Sequence, residues 1–107
     1  MTKDLHPLLV NATNSELVYD GLSLQRIEPV NFVIKTNPKY NHNGVVVVEE
    51  VVDVVENIYD VSNFKHLIVV EPRVLEYANR NHLTGYVSYA SKAKLPDGTT
   101  VIDYLYS

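Results

Sequence analysis

Gly44-Val-Val-Val-Val48-Glu-Glu-Val-Val-Asp-Val-Val-Glu-Asn-Ile-Tyr-Asp-Val61 is the stretch that decides how this chain folds. It holds nine Val and one Ile beside five carboxylates, with no Lys or Arg. Val is stiff at χ1 and suits a pleated surface better than a helix, so the composition points to strand. Residues 51, 52, 55 and 58 also follow helical spacing, and the helix stays open as an alternative. The strand reading divides the segment into two strands joined near Glu49-Glu50. Carboxylates beside the apolar window Val45–Val48 act as gatekeepers against edge-to-edge pairing.

The same stretch sets the charge distribution. Glu49, Glu50, Asp53, Glu56 and Asp60 contribute −5, whereas the whole chain carries −4, so the remainder sums to +1. From Lys65 to Lys94 there are five basic residues and two acids, a local balance of +3. Such polarity fits a binding or assembling protein better than a catalyst. The acidic total argues against a sequence-specific nucleic-acid binder, which usually presents a basic face.

At 107 residues the chain is one domain, 1–107, able to bury about 65% of its unfolded surface. It has no cysteine, which removes disulfides and thiolate metal sites. The start lacks the apolar run of a signal peptide, and no apolar stretch approaches the roughly 20 residues that cross a bilayer. The expectation is a soluble cytoplasmic protein. Asn11-Ala12-Thr13 matches a glycosylation acceptor, read here as chance.

Outward from the valine stretch, turn chemistry divides the chain. Leu8–Val10 reads as a strand, Asn11–Ser15 as a turn, and Leu17–Tyr19 and Leu22–Ile27 as a hairpin about Asp20-Gly21. Val30–Ile34 is a further strand, and the polar run Thr36–Gly44 reads as a long loop. His66–Val70 is a continuous apolar strand. Pro72 suits a first helical turn, so residues 72–80 form a short helix with Val74, Leu75 and Ala78 inward. Gly85–Leu95 and Thr99–Tyr106 flank Pro96-Asp97-Gly98 as a terminal hairpin. The expected class is α+β, mostly β: an antiparallel sheet or a small barrel or sandwich, with one short helix and a C-terminal β-hairpin.

In this order, the layout resembles a group of small phage and prophage proteins of unsettled function. Those proteins open on a strand ending in an Asn-x-Thr-Pro-His-like turn and carry a Pro shortly before another strand. A hydrophobic strand then enters a short helix with an internal Glu, and an Asp-Gly-like turn closes the last hairpin. The matching pieces here are Asn11-Ala12-Thr13, Ile27-Glu28-Pro29, Leu67–Val70 with Glu76, and Asp97-Gly98. Asn14-Ser15 replaces the Pro-His of the group, and Glu71-Pro72 replaces Ser-Arg. The resemblance implies a phage-like origin, and thus a host-cell cytoplasm, more than a biochemical role.

His6, His42, His66 and His82 are scattered, without the spacing of a metal site. There is no phosphate-cradling glycine loop and no nucleophile elbow, so no catalytic residue, metal or cofactor is expected. The sharper candidate is the helix. Arg73, Tyr77 and Arg80 fall at i, i+4 and i+7, with His82 and Tyr86 following. Arg supplies a planar fork for phosphate and Tyr a ring for stacking, the residue types a nucleotide pocket uses. The plain alternative is a wet helix face, with Glu76 and Arg80 as an ordinary i, i+4 pair.

Two functions follow. In the first, a non-enzymatic phage-like protein sequesters a nucleotide immune signal as a homo-oligomer, an anti-defence role, through Arg73, Tyr77, Arg80, His82 and Tyr86. Its acidic and basic segments would then meet between neighbouring subunits. In the second, a protein–protein or virion-associated module uses the acidic 49–60 surface, with Glu49, Glu50 and Asp53 contacting a partner.

Overall fold

The computed structural model describes residues 4–58 and 65–107. Tyr59, Asp60 and Val61, the end of the valine stretch, lie outside the described residues. Side chains are described throughout that range except at Asp53, Val54 and Val55.

Six strands close into a barrel in the order β1-β3-β2-β8-β7-β6. They are β1 (Leu5–Asn11), β2 (Leu17–Tyr19), β3 (Leu22–Arg26), β6 (Leu67–Val69), β7 (Tyr86–Lys94) and β8 (Thr100–Tyr106). Two further strands, β4 (Asn31–His42) and β5 (Val45–Glu56), form a separate two-stranded sheet. Helix α1, the one helix among the described residues, spans Pro72–Arg80, as the sequence predicts. Of the architectures open from sequence, the small barrel is the one formed, and β7–β8 is the expected terminal hairpin.

The barrel is mixed rather than antiparallel. β1 runs parallel to both β3 and β6, β6 to β7, and β2 to β8. The stretch β6–α1–β7 is a parallel crossover, which requires a connection long enough for a helix. Only β2–β3 and β7–β8 are antiparallel neighbours in the barrel. Asp20 and Gly21 both have positive φ, 54° and 75°, the backbone that a two-residue hairpin needs.

Period-two alternation divides the core between the two faces of the sheet. Leu9, Val69 and Val87 join Leu17, Leu24 and Ile102 in one buried cluster. Their chain neighbours Val10, Ile68 and Tyr86 join Val74, Leu75 and Ala78 of α1 in a second cluster. The helix therefore covers the outer face of β1, β6 and β7, while the first cluster fills the barrel. Val30 and the partly buried Phe32 carry the second cluster to the foot of β4.

Asn11 and Thr13 are buried polar residues. Asn11 Oδ1 accepts from the Thr13 N–H at 2.8 Å and the Thr13 hydroxyl at 2.6 Å, and Asn11 Nδ2 donates to the Ser15 carbonyl at 2.6 Å. This closed set satisfies groups that would be costly to bury unpaired. It also removes Asn11 from any glycosylation chemistry, since its amide faces the interior.

The largest departures from expectation lie between residues 31 and 56. Thr36–Gly44 is not a long loop: β4 continues to His42, and only Asn43-Gly44 turns the chain. Both turn residues have positive φ, 50° and 87°, and they set the register at His42↔Val45. Within the valine stretch Val45–Glu56 is likewise one continuous strand, not two joined near Glu49-Glu50, which instead pair with Asn37 and Thr36. Polar side chains on β4 give no apolar signal, yet its backbone completes the ladder that the valine strand demands. Irregularities fall between Val33 and Ile34 and between Pro38 and Tyr40.

The paired strands form a β-arm of 12 residues per strand, roughly 40 Å long at the rise of an extended chain. The molecule measures 61 × 35 × 20 Å, with a radius of gyration of 16.3 Å. A compact chain of this length would have about 13 Å, so the molecule is elongated.

Candidate functional site

Helix α1 places Arg73, Tyr77 and Arg80 on one side and buries Val74, Leu75 and Ala78 on the other. Glu71 precedes the helix in extended conformation without a side-chain cap bond, and Pro72 supplies the preset φ of the first turn. At the other end the Leu83 N–H donates to the Ala78 carbonyl at 2.8 Å, and the His82 N–H to the Asn79 carbonyl at 3.2 Å. That pair of bonds is a Schellman stop, with His82 in the left-handed position at φ 58°.

The cationic face is turned to the arm rather than to an open cleft. Arg73 Nη2 lies 3.1 Å from Glu50 Oε2, and Arg73 Nη1 lies 3.5 Å from Glu76 Oε2. Arg80 Nη2 donates to the Val52 carbonyl at 2.8 Å, while its guanidinium stands 5.6 Å from the centre of the Tyr77 ring. At the arm's foot, Asn57 Nδ2 donates to the Pro29 carbonyl at 3.1 Å. Helix and arm are thus joined at two points, one ionic and one to buried backbone. The polar helix face is more than a wet surface, and its Arg residues already have partners within the chain. Glu76, expected as the i, i+4 partner of Arg80, pairs with Arg73 at i+3 instead.

The five ligand-binding candidates therefore separate. Arg73, Tyr77 and Arg80 stay together beside β5. His82 is exposed and ends the helix. Tyr86, 5% exposed, packs in the core between the sheet and α1, so its ring is not offered to a ligand. Among the partner-binding candidates, Glu49 and Glu50 are exposed neighbours on β5, but Glu50 is held by Arg73. Asp53 is a β5 residue whose side chain is outside the described set. Acidic and basic segments, expected to meet between subunits, meet at Glu50–Arg73 inside one chain.

A surface recess of about 440 Å³ lies elsewhere. Tyr19, Asp20, Gly21, Lys92, Ile102 and Asp103 line it, and none of the expected site residues does. Among the described residues, no group of three His, Asp or Glu side chains is placed to hold a metal ion. Among them also, no helix is long and apolar enough to cross a membrane.

Sequence reasoning missed the outer arm. Val45, Val46, Val48 and Tyr40 are all exposed, Val45 at 64%. The register places Tyr40, Val45, Val47 and Val51 on one face, with Pro38, Val46 and Val48 on the other. The second face, nearer the foot, carries the buried Val52 and the Phe32 that packs on the core. The first face carries the exposed Val33 at its foot, with Val47 and Val51 half-buried along it. Asn43-Gly44 was the available signal: a two-residue hairpin turn directly before four Val.

Taken together these features define a small mixed β-barrel bearing a long β-arm with exposed apolar residues, braced by helix α1. The chain matches no known protein family, no curated protein and no solved structure.

Proposed function

We propose that this protein is a non-enzymatic binding module whose working surface is the β-arm. The observation that carries this reading is the exposure of Tyr40, Val45, Val46 and Val48 on a two-stranded ribbon. Hairpins of two strands are marginal in water by themselves, and apolar side chains exposed along both faces of such a ribbon mark a contact with another macromolecule. Bracing by Arg73 and Arg80 holds the foot of the arm against the barrel and presents its outer half to a partner. Assembly through such an arm suits a virion-associated or partner-binding component of phage-like origin.

Nucleotide sequestration by the helix face is the weaker reading. Arg73 and Arg80 would have to release Glu50 and the Val52 carbonyl to hold phosphate, and Tyr86 has no access to a base. Calorimetric titration with cyclic dinucleotides and ADP-ribose separates the two readings. Heat that disappears in Arg73→Ala and Arg80→Ala variants would favour sequestration.

The direct test is sedimentation velocity of freshly purified protein beside a variant carrying Tyr40→Asn and Val45→Asn. The expected result is association, with itself or with a co-purifying protein, in the parent and its loss in the variant, both keeping the same circular dichroism. Unchanged association in the variant would overturn the reading.

A further inference from the structure

Resting on the arm as the working surface, we propose that its occupant is a second copy of this chain. The two arms stack face to face about a two-fold axis running along them. Each arm is electrically two-toned across its width. β4 carries Lys35 and Lys39 with no acid, whereas β5 carries Glu49, Glu50, Asp53 and Glu56 with no base. A two-fold along the arm lays β4 of one copy over β5 of the other, so the cationic and anionic margins superpose. An axis across the arm would instead lay β4 on β4 and β5 on β5, setting like charges together.

Side-by-side extension of the ribbon is the alternative geometry, and β4 is poorly built for it. Pro38 has no N–H to donate, and the irregularity between Pro38 and Tyr40 bends the strand. Both are devices that discourage ladder formation at an edge. Face-on stacking needs neither. Sheets pack about 10 Å apart through interdigitated side chains, and Tyr40, Val45, Val47 and, beyond Glu49, Val51 provide an apolar stripe for this. The opposite face is occupied at its foot by the barrel, through Val52 and Phe32, and by the Glu50–Arg73 pair. Lys39 and Glu49 make no ion pair among the described residues; Glu49 shares the stripe's face between Val47 and Val51, and Lys39 is the extra β4 residue between the Pro38↔Val48 and Tyr40↔Val47 pairs. They are the charges the proposed stack brings together between copies.

Charge exchange with mixing tests this on the full chain. Lys39→Glu makes both margins acidic near the stripe, and Glu49→Lys makes both basic. Each variant alone is expected to dimerise at least about tenfold more weakly than the parent at low salt, since apposed like charges are strongly unfavourable. Mixed in equal amounts, the two should form a 1:1 heterodimer in native mass spectrometry, and the double exchange should dimerise like the parent. An effect confined to one chain could not create preference for the opposite variant. Random or absent pairing in the mixture overturns the proposal, as does a parent that stays monomeric at high micromolar concentration. A monomeric parent whose arm engages a different protein overturns the second copy alone and leaves the arm as the working surface.

Discussion

Arg73 and Glu50, 23 residues apart, meet at 3.1 Å and tie the helix to the arm. Their side chains are 38% and 51% exposed, so water screens much of the attraction. A double-mutant cycle with Arg73→Ala and Glu50→Ala, followed by denaturant unfolding, should give a coupling of roughly 0.2–1 kcal/mol that shrinks with added salt. A coupling well above that range, insensitive to salt, would show that the pair is desolvated and the arm lies closer to the helix than described.

Arg80 is the stronger of the two braces because its acceptor is backbone in a buried position. Arg80→Met keeps most of the aliphatic stem but loses the bond to the Val52 carbonyl. Hydrogen bonds from charged donors contribute about 1.5–3 kcal/mol, and the exposure of Arg80 places the expected loss near the lower end. Hydrogen exchange in β5 around Val52 should quicken while that of the barrel strands stays unchanged. Uniform loss of protection would assign Arg80 to the whole fold rather than to the arm.

His82 ends α1 in a conformation that favours glycine. His82→Gly relieves the left-handed backbone at φ 58° and should stabilise the protein by about 0.5–1 kcal/mol. Thermal unfolding measures it directly. A destabilised variant would mean that the imidazole makes a contact worth more than the strain.

Tyr89, half-buried on β7, has its phenol pushed above the ordinary value near 10, first by burial and then by Glu71 and Tyr106. Burial favours the neutral ring, so the folded chain keeps this proton after the unfolded chain has lost it. The contribution is therefore intact below pH 10 and declines as pH rises from 10 through the folded value. Denaturation midpoints across this alkaline range should fall less steeply in Tyr89→Phe than in the parent. Equal slopes would show that Tyr89 ionises alike in both states.

The barrel was legible where local chemistry and tertiary need agreed. Asp20-Gly21 fixed one hairpin, Pro96-Asp97-Gly98 another, and Pro72 the start of the helix. Strand direction was not legible, because parallel pairing of β1, β6 and β7 depends on how the helix crossover packs, which no local pattern encodes. The arm escaped for a different reason. Thr36–His42 looks like loop by composition and is strand because Val45–Val51 needs a partner backbone. The helix face was read correctly as one surface, but its partner, Glu50, belonged to a segment whose path was misdrawn. Tyr86 failed as a site residue because the alternation of β7 turns it beneath α1 while Val87 faces the barrel interior.

Site-specific photo-crosslinking tests the central claim most directly, with the reactive side chain at Tyr40 or Val46 on the arm, or at Glu76 on the helix. With the intact chain in its cellular setting, the arm positions should give discrete protein adducts and Glu76 none. Adducts from Glu76 with a silent arm would contradict the account and return the function to the helix.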